Sequence, residues 1–376
     1  MSEECDALVN NGTWELVPPD TRIDYTDTFN PVVKPTTIRI VLAIAVSYGW
    51  SLRQLDVNNV FLQGNLSENV YISQPPGFID KDNPIHVCKL RKAIYGPKQA
   101  PRAWYQELKN FLLSSGFKNS YADASLFVFN VNGHILYLLV YVDDIIITGN
   151  DAAVIDRFVT NLAHRFSIQD LGMLTYFLGV EVVHNKNGLL LSKKRYIQDL
   201  LTQVQMHKVK PVLTPMPTSQ SLTVQSSSSL PDPSQYRTVM GSLQYLLLTR
   251  PDIAFAVNKW SQYMHCPSTE HWSYVKHLLR YLVGTVNDGL QIYRDSSLSL
   301  HAFSNADWAG DRDTFSSTGA YVVYLGRNLV SWIKSRGPLL DYPPRPNIAL
   351  LLILLLKSSG FAIYFHILVL CSLAVQ

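Results

Sequence analysis

Residues 137–149 read YLLVYVDDIIITG, so two adjacent acids, Asp143 and Asp144, lie between two runs of apolar, strand-forming residues. Each run is long enough for a buried β-strand, and a polar pair between two such runs is typical of a turn. The stretch therefore predicts a hairpin whose tip carries two carboxylates.

The two acids have an ordinary and a functional interpretation. Asp is a common turn residue, so Asp143 and Asp144 could serve the turn alone. However, a charge among apolar strands is costly unless a cation compensates it, and Mg²⁺ prefers carboxylate oxygens. Asp56, in RQLDVNNVF (53–61), has a similar apolar context. Three acids on neighbouring strands could hold two Mg²⁺ ions, an arrangement suited to nucleotide polymerisation.

Helices and strands are expected to alternate around these acids. Apolar residues recur at helical spacing after Thr36, a candidate cap, and after Pro101, a candidate first helical residue. A strand is expected from Ser51 to Val57, and Asn150 or Asp151 is expected to cap the helix after the hairpin.

The composition is that of a globular protein. Of the 376 residues, 47% are hydrophobic and 16% are charged, and the net charge of +3 is too small to indicate a nucleic-acid partner. The four cysteines are far apart, which excludes a CxxC zinc ribbon and argues against a disulfide scaffold. The N-terminus lacks secretory features, and no GxGxxG or Walker A loop occurs.

Two segments depart from this globular pattern. The stretch 214–235 is rich in Pro and Ser and predicts a linker. Near the C-terminus, the apolar blocks 348–356 and 361–375 are each too short to cross a bilayer, although together they could span it. We expect non-native sequence added after a loss of reading frame, with a membrane anchor as the alternative.

Five ordered blocks carry a resemblance to a known family: QLDVNNVFLQGNL (54–66), VYISQPPGF (70–78), LRKAIYGPKQAPRAWY (90–105), YLLVYVDDIIITG (137–149) and LGMLTYFLGVEV (171–182). They resemble the reverse transcriptase of copia-type LTR retrotransposons, those of plants in particular. The similarity runs from about Asp24 to Trp332.

The resemblance implies an α+β fold: a right-hand polymerase palm and fingers with a helical thumb, then a truncated ribonuclease H-like α/β remnant. The predicted regions are an N-terminal remnant (1–21), fingers and palm (22–213), the linker (214–235), thumb or connection (236–297), the ribonuclease H-like remnant (298–335) and a divergent hydrophobic tail (336–376).

The resemblance also implies a set of site residues. Asp56 and Asp143 would be metal ligands, with Asp144 as the third catalytic acid and Val57 adding its backbone carbonyl. The residues implied to contact nucleotide or template are Phe61, Gln99, Arg102 and Tyr141. Phe61 would be the steric gate that excludes a ribonucleotide 2′-hydroxyl, with a core Phe as the alternative.

A local cluster of cations and aromatic residues has two interpretations. It could neutralise phosphates and stack bases, or it could be a solvated surface. Its members are Lys89, Arg91, Lys92, Lys98, Arg102, Tyr95, Trp104 and Tyr105.

The chain departs from the family pattern in three places. Family members normally carry a long basic segment that resembles a triphosphate-contacting hairpin, whereas here Pro18 leads almost directly to Arg22. Pro97 stands where the family usually has Leu. Asn305 occupies the position of the first ribonuclease H acid, so we expect no ribonuclease H activity, and Asp307 is expected to be structural.

The resemblance implies RNA-directed DNA polymerisation with two Mg²⁺ ions, or Mn²⁺ in their place. The partners would be an RNA template, a DNA primer and deoxynucleoside triphosphates. Two alternatives stay open: a catalytically inactive nucleic-acid-binding remnant, and a membrane-attached product of the tail. We expect a cytoplasmic location, with a virus-like particle or the nucleus as alternatives, and the sequence does not fix the oligomeric state.

Overall fold

The computed structural model describes residues 12–18, 32–75, 77, 79–217, 228–306 and 317–337. These residues form two compact units: one contains 12–18, 32–38 and 50–174, and the other contains 39–49, 175–217, 228–306 and 317–337. Some predictions concern residues outside the described ranges: the junction at 19–31, the linker residues 218–227, Asp307 and the tail from 338 onward.

The first unit is built on a six-stranded antiparallel sheet. In their order across the sheet, the strands are β5 (Lys118–Asn119), β6 (Leu126–Val131), β7 (His134–Tyr141), β8 (Asp144–Gly149), β2 (Leu52–Val57) and β9 (Ile168–Met173). Val142 and Asp143 form the turn between β7 and β8. The predicted hairpin is therefore confirmed, with Asp143 in the turn and Asp144 at the start of the next strand.

Two helices cover one face of this sheet, α2 (Ala100–Ser114) and α3 (Ala152–Arg165). Leu55 and Val57 of β2 belong to the same buried cluster as Trp104 of α2 and Leu162 of α3. Because side chains alternate along a strand, Gln54 and Asp56 point to the opposite face. The apolar pattern of β2 thus decides which face carries the acid.

A smaller antiparallel sheet completes the first unit. Its order is β1 (Trp14–Val17), β4 (Val87–Lys92) and β3 (Asn65–Ser73). A 3₁₀ turn at Val60–Gln63 connects β2 to β3.

The helix starts agree with the sequence to within two residues. Helix α1 (Pro35–Tyr48) begins one residue before the predicted cap Thr36, and the division between the units falls within this helix. In α2, Pro101 is the second rather than the first helical residue. Of the two predicted caps for α3, the structure uses Asp151, whose carboxylate accepts hydrogen bonds from the N–H groups that follow.

The second unit contains two antiparallel sheets. The first has the order β10 (Tyr176–Phe177), β11 (Val180–Asn185), β12 (Gly188–Ser192) and β13 (Leu290–Tyr293). The second consists of β14 (Leu300–Ala306), β15 (Ser317–Leu325) and β16 (Asn328–Gly337).

The helices that follow residue 193 in the second unit share a buried apolar core. They are α4 (Lys194–Gln203), α5 (Pro233–Leu246), α6 (Ala254–Ser261) and α7 (Thr269–Gly284). Asp232 caps α5, which begins three residues before the predicted thumb boundary at 236. Within the described ranges, no helix combines the length and apolarity that a bilayer crossing requires.

The mixture of helices and antiparallel sheets agrees with the predicted α+β class. The division between the compact units falls after Leu174, within the region 22–213 assigned to fingers and palm. The names of the polymerase subdomains, the ribonuclease H-like remnant and all the predicted boundaries remain predictions.

Candidate active site

Two of the predicted acids face each other across adjacent strands. Asp56 of β2 lies directly opposite Asp144 of β8, and Asp144 lies opposite Tyr141 of β7. Residues directly opposite in an antiparallel pair project to the same face. The register thus aligns Tyr141, Asp144 and Asp56 in one row, and Gln169 of β9 extends it on the other side of Asp56.

The turn that carries Asp143 is held from two sides. The backbone N–H of Val57 donates to the carbonyl oxygen of Asp143 over 3.0 Å. The indole Nε1 of Trp104 donates to the carbonyl oxygen of Val142 over 2.7 Å. Val142 has a φ of 54°, a left-handed conformation that is unusual for a β-branched residue. These two bonds fix an otherwise unfavourable turn.

The carboxyl groups of the site influence one another electrostatically. Burial raises the pKa of Asp56, and the charge of Asp143 raises it further. Burial also raises the pKa of Asp144, an effect opposed by the hydrogen bond from Gln54 and reinforced by Asp143 and Asp56. The site therefore concentrates negative charge in a partly desolvated position.

The donor set has the chemistry of a divalent-cation site. Carboxylate oxygens are the ligands that Mg²⁺ prefers, and a cation would relieve the repulsion that raises these pKa values. In the part of the chain that the structure describes, no three His, Cys, Asp or Glu side chains are already arranged closely enough to hold a metal ion. Because Mg²⁺ is usually held by one or two carboxylates together with substrate phosphates, the facing acids fit a cation that binds with the substrate.

Comparison with known proteins shows the family of the chain. Residues 17–218 match the family described as reverse transcriptase (RNA-dependent DNA polymerase). The chain belongs to this family.

Its relatives include transposon proteins of plants and yeast. The chain is 50% identical over 370 residues to the retrovirus-related Pol polyprotein from transposon RE1 of Arabidopsis thaliana, covering 88% of this chain and 25% of that polyprotein. It is 38% identical over 322 residues to the corresponding polyprotein from transposon TNT 1-94 of Nicotiana tabacum, covering 82% of this chain and 24% of the relative.

A shorter relative is the putative transposon Ty5-1 protein of Saccharomyces cerevisiae, 31% identical over 280 residues, with 74% of this chain and 91% of the relative covered. The chain spans about a quarter of the length of the two plant polyproteins. The matches confirm the resemblance to copia-type reverse transcriptases.

Phe61 is a core residue whose ring also contacts an exposed aromatic side chain, and its role as a steric gate stays a prediction. It lies in the 3₁₀ turn after β2, is 8% exposed and belongs to the buried cluster beneath the sheet. Its ring also meets the edge of Tyr95 at a centroid distance of 5.1 Å, and Tyr95 is 89% exposed. Phe61 thus connects the core to a solvent-facing aromatic surface.

The other predicted nucleotide contacts lie around the start of α2 and the end of β7. Gln99 is buried immediately before α2, and Arg102 is half-buried in the first turn of that helix. Pro97 lies in the turn before α2, where its carbonyl oxygen accepts a hydrogen bond from Ala100 N–H. Tyr141 is half-buried at the end of β7.

The predicted basic and aromatic cluster is not a single surface. Arg91 forms an ion pair with Glu15, and Lys89 lies opposite Glu15 in the small sheet. Trp104 is only 1% exposed, so the prediction that its ring stacks on bases is wrong. Tyr105 is half-buried and donates its hydroxyl to a backbone carbonyl, and burial raises its pKa to about 12.

Two residues were missed by the sequence interpretation. Gln54 donates its side-chain amide to Asp144, and Trp104 holds the turn. The signal for Gln54 was its position two residues before Asp56, on the same face of the strand. For Trp104 it was the helical spacing shared with buried Leu108 and Leu112.

Asn305, at the position that the resemblance assigns to the first ribonuclease H acid, is among the residues that the structure describes. Asn305 is exposed on β14 and lies opposite Ala320 of β15. The predicted lack of ribonuclease H activity remains a prediction.

Proposed function

We propose that this chain is an RNA-directed DNA polymerase that extends a DNA primer on an RNA template. The observation that carries the proposal is the cross-strand pair of Asp56 and Asp144, with Asp143 in the anchored turn beside it. This places three oxygen-rich side chains at the edge of a partly buried sheet face. Nucleotidyl transfer needs such a charge cluster, because cations must be held where phosphate charge develops.

The acids would serve as cation ligands. Asp56 and Asp143 would bind two Mg²⁺ ions, or Mn²⁺ in their place, with Val57 contributing its carbonyl and Asp144 offsetting charge. When bound, such ions lower the pKa of the primer 3′-hydroxyl and stabilise the leaving oxygen. The chain's own contribution is to hold the acids: β2 and β8 fix Asp56 and Asp144, and the two turn bonds fix Asp143.

The incoming nucleotide would lie near Phe61 and the start of α2. Phe61 is supported from below by the core and from one side by Tyr95, so its ring is well placed to act as a rigid steric gate. Gln99, Arg102 and Tyr141 would contact the nucleotide or the template. Arg102 would supply positive charge to a phosphate.

A second candidate function is a catalytically inactive, nucleic-acid-binding remnant. It is favoured by the sequence at Pro18 to Arg22, where the long basic segment usual in the family is lacking. Without those cations, the triphosphate would be less well positioned even if all three acids bind their ions.

Primer extension separates the two candidates. The full chain is incubated with an RNA template, a labelled DNA primer, deoxynucleotides and Mg²⁺, beside Asp143→Asn and the exposed control Asp82→Asn. The polymerase is supported if the parental chain and the Asp82→Asn variant extend the primer and the Asp143→Asn variant does not. Salt-sensitive template binding without extension supports the inactive remnant instead.

The same preparation tests ribonuclease H activity on a labelled RNA strand in a DNA hybrid. We expect the RNA to stay intact, because the neutral amide of Asn305 is a weaker Mg²⁺ ligand than a carboxylate. Cleavage that depends on Mg²⁺ would show that other acids replace it.

A further inference from the structure

Gln54 is a buried polar residue next to the carboxylates. Its side chain is 7% exposed, and its amide Nε2 donates a hydrogen bond to Oδ1 of Asp144 over 3.2 Å. Burying a primary amide costs free energy unless hydrogen bonds replace those made to water. The contact with Asp144 therefore contributes to keeping this side chain in a fixed orientation.

The register of the sheet explains why these two side chains meet. Asp56 lies opposite Asp144, and Gln54 lies opposite Ile146. Gln54 is thus the diagonal neighbour of Asp144 on the same face, at a separation of about 7–8 Å that a long side chain can bridge. A slip of one residue in β2 would turn Gln54 towards the helix-covered face and break the contact.

Gln54 also marks the point where this sheet face changes from buried to open. Leu52 and Ile146, on the inner side, are 5% and 1% exposed. Asp56 and Asp144, on the outer side, are half-buried. On its inner side, Asp144 therefore receives its hydrogen bond from the protein rather than from bulk water.

We infer that Gln54 is a positioning residue: its amide N–H holds one oxygen of Asp144, so that Asp144 offsets charge beside the divalent cation that Asp56 and Asp143 bind. The inference rests on the proposed polymerase function for the identity of the reaction. A carboxylate offers about four acceptor positions, so the one donated bond orients Asp144 and leaves its other acceptor positions directed at the cation site. Partners that hold metal ligands in place typically change metal affinity or activity by about tenfold to a hundredfold.

The test measures cation binding directly. Mn²⁺ is titrated into the full chain and free Mn²⁺ is followed by electron paramagnetic resonance, for the parental chain, Gln54→Leu and Asp143→Asn. The matched control is Gln106→Leu, because Gln106 is exposed on α2 and its amide bonds Asn110 over 2.8 Å. We expect Mn²⁺ affinity to fall by about tenfold to a hundredfold in Gln54→Leu and to be unchanged in Gln106→Leu.

Primer extension on the same samples distinguishes a failure of the positioning role of Gln54 from a failure of the proposed polymerase function. Positioning predicts that the half-saturating Mg²⁺ concentration rises more in Gln54→Leu than the maximal rate falls. If Mn²⁺ binding depends on Gln54 but the chain extends no primer, the proposed polymerase function is contradicted and the positioning role of Gln54 is still supported. Parental Mn²⁺ affinity in a folded Gln54→Leu chain, or no Mn²⁺ binding by the parental chain, would overturn the inference. If Gln54→Leu does not fold, Gln54→Met repeats the test with an unbranched side chain.

Discussion

The indole Nε1 of Trp104 donates a hydrogen bond to the carbonyl oxygen of Val142 over 2.7 Å. Trp104 is on α2 and Val142 is in the turn between β7 and β8, so this bond ties a helix beneath the sheet to the turn beside the acids. Trp104 is 1% exposed, and Val142 is half-buried. A buried carbonyl that loses its donor costs about 1–3 kcal/mol.

Trp104→Phe should therefore lower both stability and primer extension. The control is Trp260→Phe, because Trp260 is fully buried in α6 and its indole N–H has no hydrogen-bond partner among the described residues. Both variants lose ring volume, but only Trp104→Phe loses a hydrogen bond. Urea unfolding and extension rates check this, and equal losses of extension in the two variants would contradict the role of the bond.

The left-handed conformation of Val142 gives a second prediction. This conformation costs a residue with a branched Cβ about 1–2 kcal/mol, which Gly would not incur. Val142→Gly should therefore keep the free energy of unfolding within about 1 kcal/mol of the parental value, because relief of strain offsets the lost side chain. Val140→Gly, in the interior of β7 and 4% exposed, should cost at least about 2 kcal/mol. Similar losses at both positions, measured by urea unfolding, would show that Val142 is not strained.

Gly64 is required by a close approach of two backbones. A Cβ at this position would lie 2.7 Å from the backbone nitrogen of Trp104, closer than Cβ atoms are found in folded proteins. Gly64→Ala should push α2 away from the 3₁₀ turn that carries Phe61, at a cost of about 1–3 kcal/mol. Gly241→Ala in α5 is the control: nothing lies within 4 Å, and it should gain about 0.5–1 kcal/mol. The contrary result is a Gly64→Ala chain as stable in urea as the parental chain.

The hairpin, its two acids and the strand of Asp56 could be predicted because their signals are local. Apolar runs, turn residues and caps act over a few neighbours along the chain. The opposition of Asp56 and Asp144 could not be derived from those patterns, since register depends on how distant strands pair. Gln54 and Asp144 are 90 residues apart, and Trp104 and Val142 are 38 apart. Their hydrogen bonds became visible only once the sheet and α2 were packed.

The prediction for Trp104 failed because it was based on neighbours in sequence. Its aromatic ring and basic neighbours suggested a stacking surface, although its spacing from Leu108 and Leu112 favoured the buried side of an amphipathic helix. Arg91 was likewise grouped with other cations by sequence, whereas in the fold it forms an ion pair with Glu15, which is far away in sequence but lies on the adjacent strand. Residues that are close in sequence need not share a surface. Successive side chains alternate between the two faces of a strand and point in different directions around a helix.

Lys193 gives the chain a predicted dependence of stability on pH. It is 1% exposed, its Nζ donates to the carbonyl oxygen of Tyr245 over 3.0 Å, and burial lowers its pKa to about 7 from an ordinary value of 10.5. Between these two values the unfolded chain binds more protons than the folded chain, so stability rises as the pH rises from about 7 to about 10.5. Lys193→Met should be more stable than the parental chain near pH 6, and the difference should narrow near about pH 9.5.

The control for this prediction is Lys194→Met, since Lys194 is the exposed neighbour of Lys193. Urea unfolding at several pH values measures the effect. The Tyr245 ring lies against the Lys193 ammonium, which favours the charged form and opposes the effect of burial. If that contact dominates, Lys193→Met will instead be less stable than the parental chain near pH 6, and the assignment of burial as the larger effect will be wrong.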